Sequence, residues 1–200
     1  MTRLRIVGGA LGGRRFSGPR GGATVRPTSE RVREAVASAL EARDAFDGAA
    51  VLDLFAGTGA LAFEALSRGA ERATLADRDR RLVRSLERVA RELDLGDRCA
   101  VRCVDLLGDP ARACEMLAPD GPFTLLFADP PYAEVAKVPP LLQALVAGGV
   151  LAPGAWVALE HAVQQPPPDV PLASVARYRY GGTAVVLGTV PSLDEERLPT

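Results

Sequence analysis

From residue 50 onward, short apolar runs bounded by Gly, Pro or Asp alternate with longer stretches whose apolar residues recur every three or four positions. A continuous run followed by a helical period predicts strand, helix, strand, helix. The runs at 50–54, 72–76, 99–104, 123–128 and 156–159 read as buried strands. Helices are expected over 59–68, closed by Gly69, over 79–93, ending near Gly96, and over 135–147, with Pro139-Pro140 near the start. After a proline-rich loop at 164–171, the runs 174–180 and 183–190 flank Gly181-Gly182 and predict a closing hairpin. Residues 192–200 read as a loose tail. Strands separated by helices need right-handed crossovers, so the expected fold is α/β with a mostly parallel sheet.

The first 45 residues read differently. Leu4-Arg5-Ile6-Val7 and Arg14-Arg15-Phe16 flank the pairs Gly8-Gly9 and Gly12-Gly13, which predicts a short hairpin with arginines on its faces. Beyond a loop at 18–22, Pro27-Thr28 opens a helix to about Arg43. Val32, Val36, Ala39 and Leu40 share one face of it, and Thr28 or Ser29 is the expected N-cap. The chain thus divides into a hairpin-and-helix unit at 1–45, packed on the same domain as 46–191, and the tail.

Charge sharpens that division. The net charge is −1, yet residues 1–33 carry eight Arg against the single acid Glu30, a charge of +7 on an otherwise acidic body. Lys137 is the only lysine, so the cationic surface is almost all guanidinium, suited to bidentate contacts with phosphate and guanine. A basic arm of this kind points to an anionic partner. With 48% hydrophobic and 24% charged residues, 200 residues suffice for one substantial folded domain, and no apolar run reaches membrane-spanning length. The opening Met1-Thr2-Arg3-Leu4-Arg5 makes a poor leader peptide, so a cytoplasmic protein is expected. Cys99, Cys103 and Cys114 are odd in number and lack a CxxC pair, which argues against disulfides and a zinc site; they read as buried small apolar residues. No metal is expected.

The segment Asp53-Leu54-Phe55-Ala56-Gly57-Thr58-Gly59-Ala60-Leu61-Ala62 is a strand end, a glycine turn and a helix start. Gly57 and Gly59 allow a tight turn and close approach of a ligand to the backbone. The spacing to Ala62 and to Asp77, twenty residues after Gly57, also fits a relaxed dinucleotide fingerprint. Asp53 argues against that reading, because a pyrophosphate there would meet an uncompensated carboxylate, whereas a sulfonium donor with an α-ammonium group would be attracted. Asp77, Asp79 and Asp105 follow the next two strands, at the edge where open α/β sheets bind ligands. Asp77 is placed to accept from ribose hydroxyls and Asp105 from an adenine amino group.

The strongest signal is Leu125-Leu126-Phe127-Ala128-Asp129-Pro130-Pro131-Tyr132. Each proline drives the residue before it out of helical geometry, so an apolar strand ends in a stiff, extended segment. The prolines have no N–H, so both of their carbonyls are expected to face outward without a neighbouring donor. The Asp129 carboxylate and the Pro130 carbonyl then form a rigid pair of acceptors for the two N–H groups of an exocyclic amine. Tyr132 would stack on the base that carries it. Positioning and electrostatics would supply most of the catalysis.

Together with Arg26-Pro27-Thr28-Ser29-Glu30-Arg31-Val32-Arg33-Glu34 and Ala65-Leu66-Ser67-Arg68-Gly69-Ala70, these motifs resemble the RsmD group of S-adenosylmethionine-dependent methyltransferases, which act on a guanine N2 amine of 16S ribosomal RNA. Tyr178-Arg179-Tyr180-Gly181-Gly182-Thr183 is similar to that family's last hairpin, and the likeness spans about 3–190. The resemblance implies a Rossmann-like, seven-stranded class I sheet with one antiparallel strand. It implies S-adenosylmethionine as cofactor, with Asp53, Phe55, Ala56, Gly57 and Gly59 at its methionine part, Asp77 at its ribose and Asp105 at its adenine. Asp129, Pro130, Pro131 and Tyr132 would hold the guanine. Arg5, Arg14, Arg15, Arg26 and Arg33 would face the partner, 16S RNA or a small-subunit assembly intermediate, and a monomer is expected. Methylation of adenine N6 in DNA or RNA is the alternative, since the same corner serves either amine. His161 reads as a strand-end residue near the substrate mouth, and the arginines between 80 and 91 as a solvated helix face.

Overall fold

A computed structural model of the chain describes residues 3–18 and 30–192. The elements are β1 (Arg3–Arg5), β2 (Arg15–Ser17), α1 (Glu30–Glu41), β3 (Ala50–Leu54), α2 (Ala60–Ser67), β4 (Arg72–Asp77), α3 (Arg80–Glu92), β5 (Cys99–Cys103), α4 (Pro110–Leu117), β6 (Phe123–Ala128), α5 (Val138–Ala147), β7 (Leu151–Ala162), β8 (Ala173–Tyr180) and β9 (Thr183–Thr189). Among the described residues, seven strands form one sheet in the order β5-β4-β3-β6-β7-β9-β8, and β1 pairs with β2 apart from it. The run from β5 to β7 is parallel, while β9 is antiparallel to both of its neighbours. Strand order reverses between β3 and β6, which opens a crevice at their carboxyl ends. No described helix is long and apolar enough to cross a membrane.

Both faces of the sheet are covered. The β1–β2 hairpin, α1, α2 and α3 pack on one face through Leu4, Phe16, Val36, Leu40, Phe63, Leu66, Leu86 and Val89. On the other face α4 and α5 contribute Leu117, Val138, Leu141, Leu142 and Leu145. Side chains alternate along β3, with Val51 in the first layer and Leu52 and Leu54 in the second.

Several boundaries differ from expectation, each for a local reason. α5 begins at Val138, with Pro139-Pro140 in its first turn, where the missing N–H groups leave no bond unmade; a 3-10 turn over Tyr132–Lys137 precedes it. β7 starts five residues early, because Pro153-Gly154 sit at an irregularity in its pairing with β6 rather than in a loop. α4 was not expected, although Asp109 caps it by accepting from the N–H of Ala111 and Arg112, and Pro110 opens it. The predicted caps Thr28 and Ser29 lie outside the described residues, as does the tail from 193. Cys103 is exposed, and Cys99 and Cys114 are half-buried rather than buried.

The hairpin is held to α2 by one buried carboxylate. Glu64, 2% exposed, accepts the backbone N–H of Val7 and of Gly8, each at 2.8 Å. It also accepts from Arg68 Nε at 2.9 Å, and Arg33 Nε lies 3.7 Å away. One turn on, Ser67 Oγ takes the N–H of Leu11 at 2.9 Å and its carbonyl takes that of Ala10 at 2.7 Å. Gly9 is required here, since a Cβ would lie 1.9 Å from the Ser67 carbonyl oxygen and φ is +74°.

Removing the acceptor while leaving the donors buried is costly. Glu64→Ala is expected to destabilise by about 3–5 kcal/mol, a fall in melting temperature of roughly 6–20 °C. Hydrogen exchange at Val7 and Gly8 is expected to accelerate with it, and Glu64→Gln, which keeps one acceptor oxygen, to fall less.

Candidate active site

The crevice between β3 and β6 is a cleft of about 790 Å³, within the range of small-molecule sites. Its wall includes Asp53, Phe55, Ala56, Gly57, Asp77, Asp105 and the whole of Asp129-Pro130-Pro131-Tyr132. These predicted residues lie far apart in sequence and meet because parallel strands end at one edge.

The glycine turn is shaped from both sides. Phe55, Gly57 and Gly59 all have left-handed φ, of 61°, 51° and 74°. For an aromatic residue this costs about 1–3 kcal/mol, strain of the sort that clusters at functional sites. Gly59 is fixed by packing as well, because a Cβ would lie 2.6 Å from the Phe63 ring and 2.7 Å from Leu86. The left-handed turn and the close packing of α2, α3 and β4 thus both require a glycine here. Having no side chain, Gly59 cannot cap α2. Asp53 does so from the adjacent strand, its Oδ2 accepting from the N–H of Ala62 at 3.2 Å.

Asp77 ties the turn to β4. Its Oδ2 takes the N–H of Gly57 at 3.0 Å and its Oδ1 that of Asp79 at 2.9 Å. Each oxygen keeps a further lone pair for a hydroxyl. Asp79 caps α3 through the N–H of Arg81. Asp105 is exposed at the cleft wall.

Asp53 is 2% exposed, and burial pushes its carboxyl up to about 8, with the Asp129 and Asp77 carboxylates adding to the effect and the Ala62 N–H opposing it. A carboxyl so placed gains from a cation beside it. That fits a donor with an ammonium group, whose ribose and adenine would extend past Asp77 toward Asp105.

On the other side of the crevice Pro131 is extended, with φ −52° and ψ 130°. Its carbonyl is not outward and undonated as expected, for it accepts the N–H of Glu134 at 2.7 Å as the chain turns. Among the described residues none donates to the Pro130 carbonyl. The Tyr132 hydroxyl lies 3.2 Å from Thr183 Oγ1, and the Tyr132 carbonyl accepts from Gln165 Nε2 at 3.0 Å, so the ring is pinned between β6 and the start of β9.

The expected RNA-facing arginines separate. Arg33 is a correction: it is 1% exposed, donates to the Arg5 carbonyl at 2.6 Å and lies beside Glu64, while burial lowers its pKa. It locks α1 to the hairpin and has no access to a phosphate. Arg14 donates to the carbonyls of Glu92 and Leu93 and to Asp94, at the carboxyl end of α3. Arg5 pairs with Glu30 at 3.1 Å and remains exposed, and Arg15 is exposed. Arg26 lies outside the described residues. His161 is 4% exposed within β7, with Nδ1 3.0 Å from the Ala162 carbonyl oxygen, and is no part of the cleft wall.

Residues 4–189 match the family described as Conserved hypothetical protein 95. The Ribosomal RNA small subunit methyltransferase D of Escherichia coli (strain K12) is 34% identical over 84% of this chain and 80% of its own length. YlbH of Bacillus subtilis is 32% identical over 92% of this chain and 97% of its own. The chain belongs to the RsmD family of ribosomal RNA methyltransferases. The solved structure of Escherichia coli yhhF superposes with a TM-score of 0.75 at 31% identity, covering 95% of this chain and 99% of that one. The RsmD sheet is therefore the seven-stranded, Rossmann-like sheet of methyltransferases.

Sequence reasoning missed part of the cleft wall of this RsmD-family chain: Val32 from α1, Glu160 from β7, and Tyr180 and Thr183 around the last turn. The glycine pair 181–182 marked that turn, but nothing local placed it beside Tyr132.

Because the folded carboxyl of Asp53 titrates near 8 rather than 3.8, the folded chain holds a proton that the unfolded chain sheds between those values. Its contribution to stability therefore falls as pH rises through that window. Asp53→Asn keeps an acceptor for Ala62 and does not titrate. Its melting temperature is expected to match the wild type near the ordinary aspartate pKa and to exceed it by several degrees at the upper end of the window; an advantage that shrinks with pH would contradict this account.

Proposed function

We propose that this chain transfers a methyl group from S-adenosylmethionine to the exocyclic N2 amine of a guanine in 16S ribosomal RNA. The observation that carries the proposal is the meeting of the Asp129-Pro130-Pro131-Tyr132 corner and the Asp53–Gly59 turn in one cleft at the sheet's switch point. Membership of the RsmD family supports the reaction class and the donor, and the small-subunit name of the Escherichia coli relative supports the choice of RNA.

When bound, S-adenosylmethionine supplies an electrophilic methyl carbon, transferred as its carbon–sulfur bond breaks and the electron pair stays on sulfur. Asp53, beneath the turn, would hold the donor's ammonium group, and Asp77 would accept hydrogen bonds from its ribose hydroxyls. The Asp129 carboxylate and the Pro130 carbonyl accept the two N–H bonds of the guanine amine, which favours a pyramidal nitrogen with its lone pair aimed at the methyl carbon. Once the nitrogen–carbon bond has formed, the nitrogen is cationic and gives one proton to Asp129 and thence to water. Tyr132 stacks beneath the base, turned out of its helix or loop. The exposed Arg5 and Arg15 would hold phosphates of the RNA.

Labelled methyl transfer to small-subunit RNA or its assembly intermediates tests the reading. Nucleoside analysis is expected to yield N2-methylguanosine; N6-methyladenosine would overturn it in favour of the adenine reaction. Asp129→Ala is expected to lower kcat by about 10²–10³-fold, as when one preorganised transition-state contact is lost, with RNA affinity kept. Replacing Arg5 and Arg15 by Ala is expected to flatten the logarithmic salt dependence of RNA binding by about one unit per lost phosphate contact.

A further inference from the structure

The cleft holds a buried acid that the reaction as described leaves without a role. Glu160 is 4% exposed near the end of β7 and lies in the cleft wall with Asp129, Tyr132 and Thr183. Its position follows from register. Ala128 on β6 pairs with Leu159 on the parallel strand β7, so Asp129 and Glu160 come next on neighbouring strands. Parallel strands lie about 5 Å apart. Phe127 and Ala158 belong to the layer that also holds α1 and α2, so alternation turns Asp129 and Glu160 to that same face. Val32 of α1 and Tyr180 line the cleft there as well. Two acceptors thus stand side by side in the cleft wall that Tyr132 also lines, its hydroxyl held at Thr183 and its carbonyl at Gln165.

We infer that Glu160 selects the base, accepting the guanine N1–H while Asp129 and Pro130 hold the adjacent 2-amine. This inference rests on the guanine reading. Among bases with a methylatable amine, guanine sets a second donor, N1–H, on the ring atom next to the amine-bearing carbon. Adenine sets the lone pair of N1 beside its 6-amine, and cytosine the lone pair of N3 beside its 4-amine. An ionised carboxylate only accepts, so it complements guanine and repels the other two. In a buried site that mismatch leaves two acceptors face to face without water between them, which is how sites built around a hydrogen bond reject analogues that lack the donor. The Asp129-Pro130 pair serves any amine, so the choice among amines falls to the residue beside it.

The test uses two versions of the RNA that the wild type methylates, identical except that the target is guanosine or 2-aminopurine riboside, which keeps the 2-amine and presents a lone pair at N1. The wild type is expected to favour guanosine by about 10⁴-fold in kcat/KM, the scale on which a site built to hydrogen-bond a substrate N–H rejects the analogue lacking it. Glu160→Gln offers an amide N–H to that lone pair, so guanosine turnover is expected to fall while 2-aminopurine turnover falls far less or rises, and the ratio collapses toward one. Asp129→Ala is expected to lower both together. Calorimetric binding of S-adenosylmethionine within about twofold of the wild type, well under the tenfold that 1.4 kcal/mol represents, reports an intact fold. Should E160Q fail that check, Glu160→Asp takes its place; it keeps the acceptor and must keep the preference for guanosine at a lower rate. An unchanged ratio in E160Q, or a lost preference in E160D, overturns the role of Glu160. A wild type that methylates no guanine overturns the underlying reading instead.

Discussion

Parallel pairing is the constraint on which the rest of this molecule depends. When β5, β4, β3, β6 and β7 run in one direction, whatever follows each strand is delivered to the same edge. Here that is an acid every time: Asp105 beyond β5, Asp77 on β4, Asp53 on β3, Asp129 beyond β6 and Glu160 on β7. Burial, with the Asp129 and Asp77 carboxylates adding to it, pushes the carboxyl of Asp53, at the switch point, up to about 8. The fold tolerates this partly because backbone N–H groups face the acids, Ala62 at Asp53, Gly57 and Asp79 at Asp77. The remaining electrostatic imbalance suits a cationic donor and an amine-bearing base.

A second polar centre, Glu64 on α2, joins the basic hairpin to this frame. It shows how an arginine-rich arm can divide its labour. Arg33 is spent on the buried carboxylate and Arg14 on the end of α3, which leaves Arg3, Arg5, Arg15 and Arg31 exposed among the described residues of the arm. Charge counted along the chain therefore overstates the cationic surface. The hairpin and Val32 of α1 sit on the face toward which Asp129 and Glu160 turn.

Much of the site was legible in the sequence, and for a local reason. A strand that ends in Asp-Pro-Pro-Tyr, or in Asp followed by a turn with glycines at 57 and 59, declares its own backbone geometry through φ restriction and φ freedom. What such a motif does not declare is its neighbours. Gly59 was read as allowing a tight turn, which its φ of 74° shows, but nothing local announced that Phe63 and Leu86 stand where a Cβ would be. The Pro131 carbonyl was read as undonated, and the turn that follows brings Glu134 back to it. α4 escaped notice although its Asp-Pro start is an ordinary capping signal, because its short span shows too little periodicity.

By itself, the sequence determined the kinds and order of the elements other than α4, the parallel character of the sheet and the two motifs that line the cleft, since periodicity, proline and glycine act within a few residues. Only the tertiary structure decided that Arg33 is buried, that Glu64 anchors Val7 and Gly8 from more than fifty positions away, and that Glu160 stands beside Asp129. Those outcomes depend on strand register and on which helix covers which face. Both are fixed by the joint packing of two apolar layers rather than by any one segment, and a shift of one residue would turn the same acids to the opposite side.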